Sequence, residues 1–151
     1  MSGTLETIWL KRAKLGPMDI QTSSTLIKGK GLQNNANIGG KRQITIIEKE
    51  VWENHNQTLN INLPPSARRA NLMISGLSLL NSRGKILKIG NCLLRINGET
   101  KPCERMDELH KGLKDVMYNN WGGGAFAEVV TEGEIKPGDS VSWYQEELIT
   151  S

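Results

Sequence analysis

Short β-branched and apolar runs, each closed within about ten residues by glycine, proline or asparagine, restrict this chain to a β-rich fold. Arg42 to Ile47 (RQITII), Asn71 to Ser75 (NLMIS), Lys85 to Ile89, Cys92 to Asn97, Ala125 to Thr131 and Ser140 to Gln145 are all of strand length. Between and before them stand turn signals: Gly16-Pro17, Leu63-Pro64-Pro65, Ser82-Arg83-Gly84, Gly90-Asn91 and Ile135-Lys136-Pro137-Gly138-Asp139. Gly90-Asn91 predicts an antiparallel hairpin, and Gly16-Pro17 predicts a tight connection between strands at Thr7 to Lys11 and Met18 to Lys28. Two helices interrupt the pattern. Glu48 to His55 is one, and Asp107 to Tyr118 is an amphipathic helix with Leu109, Leu113, Val116 and Met117 on its apolar face despite Gly112. Roughly seven to nine strands with two short helices predict a mainly β, α+β barrel with helical insertions rather than alternating βαβ units.

Length fits one domain spanning 1–151, and nothing marks an export leader or an apolar run long enough to cross a membrane. The expectation is a soluble, cytoplasmic protein. A net charge of +3 suits an anionic ligand but falls short of the dense basic stripe of a nucleic-acid binder, so no nucleic-acid partner is expected. Two cysteines without a CxxC pair make neither a disulfide framework nor a zinc site, and two histidines exclude a three-histidine metal centre. Both His55 and His110 are expected to face solvent.

Leu93 to Met106, LLRINGETKPCERM, concentrates the chemistry. Cys92, Leu94 and Ile96 alternate with Leu93, Arg95 and Asn97, which predicts a half-buried strand. Pro102 ends it, because proline cannot donate to the ladder and forces Lys101 extended. Glu104 to Leu109 can then open a helix with Cys103 at its start, flanked by the cations Lys101 and Arg105 and opposed by Glu104. Cys103 is therefore a candidate nucleophile or soft-metal ligand, and Cys92 a core filler. Arg68 and Arg69 enter a strand together beside Asn71, a set suited to bidentate phosphate binding or to plain surface charge. Lys28 to Lys41 is expected to be an irregular glycine- and asparagine-rich loop. Asn119 to Gly124 is either a hinge that closes over a ligand or a connection with Trp121 in the core.

These motifs, in order, resemble a known family: Arg42-Gln43-Ile44-Thr45-Ile46-Ile47-Glu48, Arg69-x-Asn71-Leu72 leading to Ser75-Gly76, Lys101-Pro102-Cys103, Gly124-Ala125-Phe126-Ala127-Glu128-Val129, and Ile135-Lys136-Pro137-Gly138-Asp139. Over about residues 25 to 145 the chain is similar to the MOSC domain, the molybdenum-cofactor sulfurase C-terminal family. The resemblance implies a β-barrel with a site for molybdenum cofactor (molybdopterin) or a related sulfurated group. Cys103 matches the family's cysteine, as molybdenum ligand or persulfide carrier. Arg69 and Asn71 match its Arg-x-Asn, which would bind the pterin or phosphate portion, with Arg42, Gln43, Thr45 and Lys101 as further cofactor contacts. The loop at Gly31 to Gly40 departs from the pattern, with asparagines where many relatives carry Gly-Asp and histidine. Sulfur would come from a pyridoxal-phosphate desulfurase, or electrons from a reductase, so any enzyme activity implied needs a partner protein. Three functions follow in order: a cofactor or sulfur-carrier module, a molybdenum-dependent reductase of N-hydroxylated compounds, and a non-catalytic β-barrel interaction domain.

Overall fold

The protein is described from a computed structural model that covers residues 2–36 and 38–145. In chain order it comprises β1 (Ser2–Lys11), β2 (Met18–Gln21), β3 (Ser24–Ile27), β4 (Gly31–Leu32), β5 (Ile44–Glu48), α1 (Lys49–Leu59), β6 (Leu72–Ser75), β7 (Ile86–Ile89), β8 (Cys92–Glu99), α2 (Glu104–Leu109), α3 (Leu113–Tyr118), β9 (Ala125–Thr131), β10 (Gly133–Ile135) and β11 (Ser140–Tyr144). Seven strands close a mixed barrel in the order β1-β11-β7-β8-β9-β5-β6, with β6 returning to β1. The β2 strand extends β1 as a hairpin outside the ring, and β10-β3-β4 form a small second sheet. No helix among the described residues is long and apolar enough to cross a membrane.

Side-chain alternation explains how the ring fills. In β8, Cys92, Leu94 and Ile96 are buried and meet Leu5, Ile8, Ile44, Ile46, Leu72, Leu87 and Val129 in the barrel interior, while Arg95 faces solvent. The Gly90-Asn91 turn sets Ile89 against Cys92, Leu87 against Leu94 and Ile86 against Arg95, the register a two-residue hairpin requires. Leu94→Ala is expected to destabilise by about 2–5 kcal/mol through lost burial and a residual cavity; a thermal melt unchanged by the substitution would show that this face is not core.

One pairing matters most for the site. Among the barrel strands β5 and β6 alone run parallel, pairing Ile46 with Leu72 and Ile47 with Met73. Helix α1 returns the chain to the end from which β5 departed. The residues just before and inside both strands, Arg42 to Thr45 and Arg68 to Asn71, therefore lie side by side at one mouth of the barrel.

Three expectations are corrected. The run Met18 to Lys28 is two strands, broken at Thr22-Ser23, because its halves pair in different sheets: β2 with β1, and β3 with β10 and β4. The helix expected over Asp107 to Tyr118 is two, α2 and α3, parted at Gly112, whose φ of +93° suits glycine and not a helix interior. The break lets Leu113 and Met117 pack with Trp52 and Met106, and turns Leu109 out of that cluster to stand 42% exposed. His55 is buried rather than solvent-facing, since α1 extends to Leu59 and lays that residue against the Gly122 turn. The Lys28 to Lys41 loop is irregular apart from β4, and Asn37 lies outside the described residues.

Candidate functional site

A cavity of about 420 Å³ opens at the barrel mouth where β5 and β6 begin. Its lining brings together Cys103, Arg69, Asn71, Arg42, Gln43 and Thr45, six of the residues expected from sequence. Lys101 is not in the lining. Its ammonium lies 3.4 Å from Glu99, donates to Tyr118 O at 3.0 Å and sits over the Tyr118 ring.

The wall residues divide by how much bonding capacity they retain. Gln43 is spent on the backbone: its Nε2 donates to Gly40 O and its Oε1 accepts from Val129 N, both at 2.9 Å, pinning the start of β5 to β9. Asn71 is spent too. Its Oδ1 accepts from Thr45 N at 3.1 Å, and its Nδ2 donates to Trp9 O and Asn35 Oδ1, a clasp across β5, β6 and β1. Arg69 takes φ +63° after the 3-10 turn Pro65–Arg68 and donates Nη1 to Gly16 O at 2.7 Å and Nη2 to Lys14 O at 3.4 Å. It thereby ties the β1-β2 loop across the mouth and carries Lys14 to the lining. Arg42 lies 4.8 Å above the Phe126 ring.

Charge is the dominant feature. Lys11, Lys14, Arg42, Arg68, Arg69 and Arg105 line the cavity against a single carboxylate, Glu108. Among the described residues the ion pairs are Arg12–Asp19, Lys49–Glu6, Arg95–Glu128, Lys101–Glu99 and Lys114–Glu104, all from cations outside the lining. The six cavity cations are thus left without carboxylate partners among the described residues. Burial, followed by the like charges of Arg69, Arg105 and Arg42, holds the Lys11 ammonium below the ordinary lysine range. Burial also lowers the pKa of Arg68, opposed by nearby Cys103 and helped by Arg42, though arginine stays charged throughout.

Of these six, Lys11 and Lys14 were not singled out from sequence as ligand residues, while Arg68 was weighed with Arg69 as a phosphate fork or plain surface charge and Arg105 only as a cation beside Cys103. These four come from β1, the β1-β2 loop, the 3-10 turn and α2, segments that only the tertiary fold brings together. Thr100 is another such residue: it ends the β8 arm of the site, lies in the lining, is 8% exposed, and its hydroxyl has no hydrogen-bond partner among the described residues. A buried hydroxyl left so costs about 1–3 kcal/mol.

The floor is built by the glycine run after Trp121, whose ring is buried in the barrel core rather than poised over the mouth. Gly123 O accepts from Arg68 Nε at 3.2 Å, Thr100 O accepts from Arg68 Nη2 at 3.3 Å, and Gly124 O accepts from Thr100 N at 2.8 Å. A Cβ on Gly123 would overlap Thr100 O, so only glycine lets the two strands approach this closely. Behind the run, His55 Nε2 donates to Gly122 O at 2.8 Å, which requires the proton on that nitrogen.

Burial, the largest cause, pushes the His55 pKa below its ordinary 6.5, outweighing the Gly122 bond, which raises it. The unfolded chain therefore binds this proton more tightly than the folded one. Its contribution to stability is full above about pH 6.5 and is lost as pH falls from there through the lower folded value. Buried Glu48 acts with the opposite sign, its raised pKa costing stability as pH rises. The difference in melting temperature between parent and His55→Gln isolates the histidine. That difference is expected to shrink as pH is lowered from 7 to 5, and a constant difference would show that His55 does not titrate on unfolding.

The two thiols are set apart. Cys92 is buried at the barrel wall, where burial and then Asp139 raise its pKa, whereas Cys103 is exposed at the cavity, at the start of α2. Iodoacetamide at neutral pH is expected to alkylate Cys103 well before Cys92 in the folded protein; equal rates would contradict the burial.

Comparison with known proteins agrees with this architecture. No curated protein is similar enough in sequence to be matched to the chain. The fold is similar to the crystal structure of the YUAD protein from Bacillus subtilis, at 18% identity and a TM-score of 0.77, covering 96% of this chain and 98% of that one. It is also similar to YiiM from Geobacillus stearothermophilus, at 16% identity and a TM-score of 0.72 over 95% of this chain and 77% of that one. YiiM from Escherichia coli is similar at 15% identity and a TM-score of 0.71, over 95% and 70%. The MOSC domain family model matches residues 33–142, from the loop before β5 to the last barrel strand, and the chain belongs to the MOSC domain family.

Proposed function

We propose that the cavity holds molybdenum cofactor or a related sulfurated group, with Cys103 as the soft ligand or persulfide carrier. The observation that carries this reading is the meeting of an exposed thiol with six cations that have no carboxylate partners among the described residues. An anionic, sulfur-bearing ligand fits that donor set, because thiolate suits soft metal and sulfur chemistry while the basic wall neutralises phosphate. Among the described residues no three His, Cys, Asp or Glu side chains cluster as a metal site, so Cys103 would be a single protein ligand to a metal that arrives with its cofactor. The cofactor, when bound, would supply redox or sulfur-atom chemistry. Arg69 and Arg42 would hold its anionic body, Asn71, Gln43 and Thr45 would keep the wall in register, and Lys101 would steady the turn that presents Cys103.

The protein on this reading works in the cytoplasm with a second protein, a pyridoxal-phosphate desulfurase supplying sulfur or a reductase supplying electrons. The deciding experiment is metal analysis and native mass spectrometry after expression in a cofactor-producing host. Bound pterin with molybdenum, or an added sulfur on Cys103, is the expected result. Reduction of a hydroxylamine with an artificial electron donor would then place the protein among reductases. Purified protein carrying neither pterin nor sulfur would favour a non-catalytic interaction domain.

A further inference from the structure

We propose that Arg68 and Thr100 form a subsite for a tetrahedral oxyanion of the phosphate class, beside Cys103. This deepens the reading above and rests on it only for the anionic character of the ligand.

Arg68 is held in place by main-chain acceptors among the described residues. Its Nε is on Gly123 O and its Nη2 on Thr100 O, which fixes the guanidinium plane without neutralising it. Its remaining N–H groups have no carboxylate among the described residues to meet, although burial makes an uncompensated charge costly there. Arg42 adds a second cation close enough to disfavour Arg68's charge. Both line the cavity, where a counter-ion would meet both charges. The Thr100 hydroxyl is an independent pointer. It belongs to the residue whose carbonyl Arg68 grips, that residue lines the cavity, and the hydroxyl is buried with no hydrogen-bond partner among the described residues. A change of rotamer about its Cα–Cβ bond would bring the hydroxyl to the cavity, where it can donate to a ligand oxygen. A planar fork, a second cation and a hydroxyl donor on one patch match a tetrahedral dianion, which offers several acceptors to several directions.

Two sources carry that chemistry: a phosphate ester on a cofactor, and a sulfur oxyanion presented to Cys103. Inorganic phosphate and thiosulfate are therefore titrated separately into the purified full chain, with chloride holding ionic strength constant, and binding is read by calorimetry and thermal melts. Saturable binding of either supports the subsite, and preference between them names the source. Thr100→Val keeps the shape and removes the hydroxyl. It is expected to melt at a higher temperature without added anion, since it relieves an orphaned donor, and to bind the anion about tenfold more weakly. A residue with only a structural role would not move those readouts in opposite directions. Thr100→Ser should restore binding, Arg68→Lys should recover only part of it, and Arg12→Ala, a cation outside the cavity, should change nothing. Chloride reproducing the effect of both anions, or Thr100→Val binding as the parent does, would overturn the proposal. Failure of molybdenum cofactor to bind while phosphate still binds would remove only the cofactor reading; cofactor bound by the parent while neither phosphate nor thiosulfate loses affinity in Thr100→Val would remove only this one.

Discussion

Cys103→Ser protein, expressed in a cofactor-producing host, is expected to emerge without molybdenum or added sulfur while still binding anions at parental strength. A hydroxyl is a poor substitute for thiolate toward soft partners, and the substitution leaves all six cations of the wall in place. Arg69→Ala should do the converse. Losing a charge-assisted bidentate contact to phosphate costs about 1.5–3 kcal/mol, roughly ten- to a hundredfold in affinity, with the thiol's reactivity little changed. Because Arg69 also ties Gly16 and Lys14 to the mouth, the alanine variant should additionally free the β1-β2 loop, visible as faster amide exchange there. Arg69→Lys keeps charge but not the fork, and should recover part of the affinity. Metal content and anion titration decide the matter; full metal in Cys103→Ser would sink the assignment of the thiolate.

Gly124→Ala is expected to be the most damaging small substitution at the site. Gly124 has φ +96°, and a Cβ there would overlap Ile46 O in the adjacent strand. Strain and overlap together should cost roughly 3 kcal/mol or more. For a chain of this size that lowers the melting temperature by roughly 6–12 °C, at about 2–4 °C per kcal/mol. The same shift would carry away the carbonyl that receives Thr100 N, so anion binding should weaken with stability. A variant that melts within a degree or two of the parent would mean that β5 and β9 yield more easily than their packing suggests.

What could be read from the sequence was local. The Gly90-Asn91 hairpin, the alternation of Cys92, Leu94 and Ile96, and the stop at Pro102 before Cys103 depend on a few neighbouring residues, and each stands in the fold. Gly112 illustrates the limit. Apolar spacing across it reads as one helix, but the packing of Leu113 and Met117 on Trp52 selects the broken form. His55 looked solvated because its neighbours in α1 are polar, and only the returning Gly122 turn buries it. The cavity was hardest to foresee. Arg69-x-Asn71 carried a signal through family resemblance and Arg105 one through its place beside Cys103, yet Lys11, Lys14 and Thr100 are unremarkable in their own segments and acquire meaning from the parallel juxtaposition of β5 and β6 with the end of β8.

The ring closes where Ser2 to Thr4 of β1 meet Ser140 to Ser142 of β11, joining strands from opposite ends of the sequence. During synthesis, then, β1 emerges first and waits for its last neighbour until nearly the whole barrel has been translated. Its open edge is a template for pairing with other chains throughout that interval. A ribosome that stalls between β9 and β11 should therefore yield a protease-sensitive, aggregation-prone nascent chain, even though every strand that carries a residue of the cavity has already been made.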